Sequence, residues 1–147
     1  MISIKYYADG DDISDAYIVR RRVFIEEQGV SEDGEMRDGS DKGAEHIVVY
    51  EDDVPVATGR IIIAGGKYYI GRVAVLKEHR MKGLGNLVMK ELINKVYSAG
   101  GHKQYIHAQI TARAFYEKLG FTAYGDEYLE EGIPHVSMVH EGGTANA

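Results

Sequence analysis

Cysteine is absent from these 147 residues, which removes disulfides, zinc-thiolate sites and any thiol nucleophile together. Positive charge is in deficit: 17 Lys and Arg face 23 Asp and Glu, a formal net charge of −6. That balance disfavours a general attraction to nucleic acid or anionic lipid and suits a cationic small substrate. Long apolar runs are missing too, since nothing approaches the roughly 20 residues of a membrane helix. The opening "MISIKYY" alternates apolar residues with Ser and Lys and does not read as a signal peptide, so a cytoplasmic protein is expected. No H-E-x-x-H or comparable cluster occurs, and no metal is expected. What is present is enough for one ordinary globular domain with a real core: 44% of the residues are hydrophobic.

Alternation of Ile2, Ile4 and Tyr6 with polar residues predicts a first strand. From Ile13 to about Glu27 the apolar residues recur at helical spacing, and Gly29 ends the run. Three consecutive helix residues point three ways, so Arg20, Arg21 and Arg22 read as a solvated face with ordinary ion pairs. Residues 31 to 45 are rich in Gly and Asp and lack the D-x-D-x-D-G spacing of a calcium loop, which predicts an exposed connection. Strands at 46–50, 54–64 and 68–76 form an antiparallel meander, followed by a helix at 83–99 whose apolar face is wide enough to lie flat on a sheet. A strand at 104–109, a short helix at 111–120 and two last strands around a "DEYLEEGIP" excursion complete the order. Past Glu141, "GGTANA" reads as a frayed tail.

"RMKGLGNLV", residues 80 to 88, stands where the meander enters the long helix. It does not fit the P-loop spacing. The dinucleotide fingerprint needs a third glycine where this chain has Val88, and normally follows a first strand. What remains is R-x-x-G-x-G at a strand-to-helix junction. Gly83 and Gly85 let the backbone approach a ligand, the first-turn amides point at it, and Arg80 and Lys82 add positive charge, so a pyrophosphate fits. The plain alternative is a glycine-containing helix entry.

Together with "ARAFYEKLGF" at 112 to 121, the sequence resembles the GNAT superfamily of N-acetyltransferases, over nearly its whole length. The matching blocks are "GRVAVLKEHRMKGLGNLVM" and "QITARAFYEKLGF"; "RRVFIEEQGV", "HAQ" and "EEGIPHVSM" resemble the ElaA-like branch. One departure occurs: most relatives open the second block with Asn, where this chain has Gln109, whose longer amide makes the same kinds of hydrogen bond. The resemblance implies an α/β (α+β) fold with a mixed, mostly antiparallel central sheet, helices on both faces, and strands 4 and 5 splayed to admit acetyl-CoA. It implies one acetyltransferase domain over residues 1–141 and a flexible tail at 142–147. It also implies that the backbone of Val73, Ala74 and Val75 pairs with the pantetheine arm and that the amides of Lys82, Gly83, Leu84, Gly85 and Asn86 hold the pyrophosphate. Arg80, Gln109, Ala112, Phe115 and Tyr116 complete the expected acetyl-CoA (coenzyme A) site.

Acetyl transfer to an amine raises two proton problems. An alkyl amine of pKa about 10.4 costs about 4 to 5 kcal/mol to deprotonate at neutral pH, and the departing thiolate needs a proton. Tyr116 sits where the family places the acid; on spacing alone it is equally a core tyrosine beside Phe115 and Leu119. His46, His107 and His135 fall on strands where a neutral imidazole can accept a proton. His135 after "EEGIP" is the expected base, against a histidine that only holds the sheet; Glu27 is next, as base through water or as the amine's counter-charge. Glu27, Gln28, His46, His107 and His135 are the expected acceptor residues. Without cysteine no acyl-enzyme on sulfur forms, so direct attack in a ternary complex is favoured. The expected partner is a small-molecule amine, with no nucleic acid and no membrane, in a monomer or homodimer. A noncatalytic acyl-CoA-binding sensor is the competing function.

Overall fold

A computed structural model describes residues 1–36, 39 and 41–141, so the expected tail at 142–147 lies outside the described residues. Seven strands form one sheet in the order β1-β2-β3-β4-β5-β7-β6. They are β1 (Ile2–Tyr7), β2 (Glu45–Glu51), β3 (Val54–Ala64), β4 (Lys67–Val75), β5 (Lys103–Gln109), β6 (Thr122–Glu130) and β7 (Ile133–Glu141). Every neighbouring pair is antiparallel except β4 and β5. Those two are parallel and share a single registered pair, Tyr69 with Tyr105. The sheet therefore opens into a V beyond that point, as the family resemblance implied.

Helices cover both faces. On one lies α3 (Leu84–Ser98), whose buried Leu84, Val88, Met89, Leu92, Ile93 and Val96 recur every three or four residues. Its end is a Schellman motif: Gly100, at φ +100°, donates to the carbonyl of Tyr97, and Gly101 donates to that of Val96. Close approach of this helix explains Gly59, where an added Cβ meets Leu92 Cδ1 at 2.7 Å and Val88 Cγ1 at 2.9 Å. On the other face lies α1 (Ser14–Arg20), which widens without a break into π-helical turns over Arg21–Glu27. The short α4 (Arg113–Lys118) follows β5 after a 3₁₀ turn at Ile110–Ala112.

Three expectations need correcting. Arg20 is not on a solvated face: it is 0% exposed, with Nε 2.6 Å from Glu35 Oε1 and Nη1 2.8 Å from Asp41. Arg21 and Arg22 do pair at the surface, with Glu32 and Glu78. The stretch 31 to 45 is not merely an exposed connection, for it holds the helical turn α2 (Glu32–Met36) and buries Glu35 to 1% exposure because Arg20 needs a counter-charge there. The "DEYLEE" excursion is mostly strand: β6 bulges between Tyr124 and Tyr128 and then pairs on through Glu130, so only a tight turn at Glu131 and Gly132 separates it from β7.

Candidate active site

The V between β4 and β5 is a cleft of about 1100 Å³ that runs from the entry of α3 to the β6–β7 turn. Its β4 wall is Val73, Ala74 and Val75, which lie beyond the β4–β5 contact. At one end the chain turns through Met81, with φ +68°, and Gly83, with φ +79°, into α3. Among the described residues no side chain caps that helix, so the first-turn amides at Leu84, Gly85 and Asn86 face the cleft without a capping partner there. Gly85 cannot readily be larger, since an added Cβ meets Phe115 Cζ at 3.3 Å. Bare amides at a helix start with this width beside them fit a pyrophosphate, and the unpaired β4 edge fits an extended arm.

Arg80 lines the cleft, but its guanidinium is committed: Nη1 and Nη2 each lie 2.7 Å from a Glu27 oxygen and Nε donates to the Val75 carbonyl at 3.0 Å. Those hydrogen bonds hold the Glu27 carboxyl below its ordinary pKa. Glu27 is therefore an ion-pair partner at the end of the π-helical turns and does not line the cleft. Lys82 also points elsewhere, with Nζ 3.2 Å from Glu51. The charges expected beside the cradle thus serve to hold its flanks, and the backbone amides form the cradle itself. Gln109 and Gln28 meet across the cleft, with Gln109 Nε2 donating to Gln28 Oε1 at 2.8 Å.

Ala112, Phe115 and Tyr116 line the β5 side. Tyr116 packs edge-on against Phe115 and Phe121, at centroid distances of 5.1 and 5.9 Å. Burial pushes its phenol up to about 12. It keeps its proton at every physiological pH.

The far end holds two of the three strand histidines. His135, 6% exposed, directs Nδ1 at the Ile133 carbonyl, 2.7 Å away. A carbonyl only accepts, so Nδ1 carries the proton and Nε2 of the neutral ring keeps its lone pair, 3.6 Å from Glu130. His107 stacks on Tyr69 at 5.3 Å, and its Nδ1 is 2.7 Å from the Tyr128 hydroxyl; the crowding of atoms around it lowers its pKa. His46 is elsewhere. It is buried, 3.7 Å from Asp41, neither ring nitrogen has a hydrogen-bond partner among the described residues, and burial lowers its pKa; it does not line the cleft.

Glu35, Arg60, Arg72, Glu130 and Glu131 line the cleft without having been singled out from the sequence. For Glu130 and Glu131 a signal existed, because a two-residue turn before His135 returns them to its side. Glu35 falls in the acidic stretch 31 to 45, which with "DEYLEE" is expected from the sequence to shape the acceptor pocket; for Arg72 there was no signal, since it is defined by its partner.

A parallel pair of splayed strands beside a helix entry without a side-chain cap makes one cleft with room for an extended ligand that ends in phosphate. The chain belongs to the GNAT acetyltransferases: the family model described as an acetyltransferase (GNAT) domain matches residues 11–141. Acetyl-CoA is the acyl donor of that family. Among relatives, the N-acetyltransferase YjcF of Bacillus subtilis is 36% identical over 89% of this chain and 94% of its own. A crystal structure from Lactobacillus plantarum, described as an N-acetyltransferase, superposes with a TM-score of 0.86 at 30% identity, covering 95% of this chain and 97% of the other. Escherichia coli ElaA superposes with a TM-score of 0.84 at 26% identity, covering 96% and 100%. Among the described residues no helix is long and apolar enough to cross a membrane.

Proposed function

We propose that this acetyltransferase acetylates a primary amine of a small molecule or peptide, bound at the β6–β7 end of the cleft, by direct attack within a ternary complex. Acetyl-CoA supplies the activated acyl group; Val73–Val75 and the amides at Gly83–Asn86 would hold it. The observation that carries the reading is the fixed tautomer of His135. With Nδ1 tied to Ile133, the free lone pair on Nε2 is available to an ammonium entering from the cleft, with Glu130 3.6 Å away. Tyr116 holds a proton for a leaving group on the β5 side. Glu130, Glu131 and the net charge of −6 match a cationic acceptor.

The test is thiol release from acetyl-CoA over a panel of amines as a function of pH. In His135→Asn, kcat falls by about 10² to 10⁴ and the acidic limb of the profile disappears. A variant that keeps that limb places the base elsewhere.

A further inference from the structure

We propose that Arg72 is a positioning residue, which ties the cofactor-bearing part of β4 to α2 and so fixes the shape of the acetyl-CoA edge. The inference rests on reading Val73–Val75 as that edge.

On β4, Arg72 and Val73 together stand opposite the single residue Gly59, because the register runs from Arg60 with Gly71 to Thr58 with Ala74. This is a β-bulge, which bends its strand and re-aims the residues that follow. Gly59 cannot shift to relieve it, because α3 lies against its Cα face. The bulge has a further peculiarity: Arg72 holds φ at +50°, a left-handed conformation that a long side chain seldom adopts. Such backbone persists only where the surroundings hold it.

The surroundings here are specific. Arg72 Nε forms an ion pair with Glu35 Oε2 at 3.0 Å, off the angle of a hydrogen bond, and Nη2 donates to the Gly34 carbonyl at 3.2 Å. Glu35 is in turn fixed from behind: Arg20 Nε is 2.6 Å from its other carboxylate oxygen, and Arg20 Nη2 donates to its carbonyl at 2.7 Å. Asp41 completes the frame, accepting from Arg20 and from Arg60 of β3 at 2.8 and 2.9 Å. A rigid buried ion network thus runs from α1 through α2 to one residue of β4, and that residue immediately precedes the cofactor edge. Arg72 directly precedes Val73–Val75 in β4, so the network meets the cofactor edge through it.

Calorimetric binding of CoA and steady-state kinetics on Arg72→Gly, Arg72→Lys and Glu35→Gln test this. Glycine takes positive φ freely, so Arg72→Gly keeps the bulge permitted and removes only the tether. The expected result is a rise of about tenfold in the CoA Kd and in KM for acetyl-CoA for Arg72→Gly and Glu35→Gln, with kcat changed less than about threefold. Arg72→Lys recovers most of the affinity. The double variant Arg72→Gly with Glu35→Gln is no weaker than either single one, because both cut one tether. A residue that only stabilises the fold lowers Tm and leaves the Kd of the folded protein alone. CoA affinity within about twofold of wild type in folded Arg72→Gly, or additive losses in the double variant, overturns the proposal. Because binding is read without an acceptor, a wild type that binds CoA and acetylates no amine defeats the acceptor assignment only. A wild type that does not bind CoA defeats the cofactor edge, and this inference with it.

Discussion

Tyr116 illustrates how one residue's surroundings choose its role. Phe115 and Phe121 pack against its ring, and burial lifts the phenol to about 12, so at pH 7 it can only donate a proton. The same shift is a stability statement. The folded pKa lies above the unfolded value of about 10, so the neutral phenol's contribution is complete below pH 10 and is lost as pH rises from 10 towards 12. Wild type should therefore lose about 2 to 3 kcal/mol relative to Tyr116→Phe across that interval, read as a difference between denaturant curves at the two pH values. In acetyl transfer Tyr116→Phe should cost about 10² in kcat, and the loss should not vary with pH between 6 and 9, since the phenol does not titrate there. The role proposed for Tyr116 comes from the motif around it, because helical spacing alone describes a core tyrosine equally well. His135 was visible as a strand histidine after a turn, but its tautomer depends on the Ile133 carbonyl, which a sequence does not position.

At the level of elements, the parts with a repeating apolar pattern were legible. The face of α3 and the β2–β3–β4 meander follow from periodicity, and the glycine loop follows from spacing. The parts that depend on distant partners were not. Arg20 reads as solvated because Glu35 and Asp41, 15 and 21 residues on, lie in a stretch with no apolar signal. The second half of β6 reads as a loop because Gly125, Asp126 and Glu127 are turn-formers; pairing of Tyr128 with His135 and of Leu129 with Pro134 overrides that preference. Gly59 stands between the two cases. It sits in a strand pattern where glycine is a poor choice, and α3 explains it. Gly59→Ala pushes a methyl group against Leu92 and Val88; the Leu92 tip can swing, the Val88 methyl cannot. The expected cost is about 1 to 3 kcal/mol in urea unfolding, with the m-value unchanged. A cost near zero would mean that α3 rides further from the sheet than the structure places it.

Over the whole molecule the sheet is continuous except at one seam. The antiparallel neighbours pair along most of their length, interrupted by bulges, whereas β4 and β5 share one registered pair, so the two halves, β1–β4 and β5–β7–β6, are joined there chiefly by what packs across them. α3 does this from one face, with buried residues against both sides. On the other face Gln28 reaches Gln109 and the cleft is open. A ligand that lies along Val73–Val75 and against Ala112 and Phe115 touches both halves at once, so its binding energy appears as cohesion of the sheet. At a hundredfold excess over Kd, CoA adds about 2.7 kcal/mol to the stability of the folded state. For a chain of this size that corresponds to a rise in Tm of about 5 to 10 °C. Amide exchange should slow along β4 and β5 together, including Tyr69 and Tyr105 at the apex, and not only in the loop at Gly83–Asn86. Protection confined to that loop would show a cofactor held by its pyrophosphate alone, with the V left unbridged.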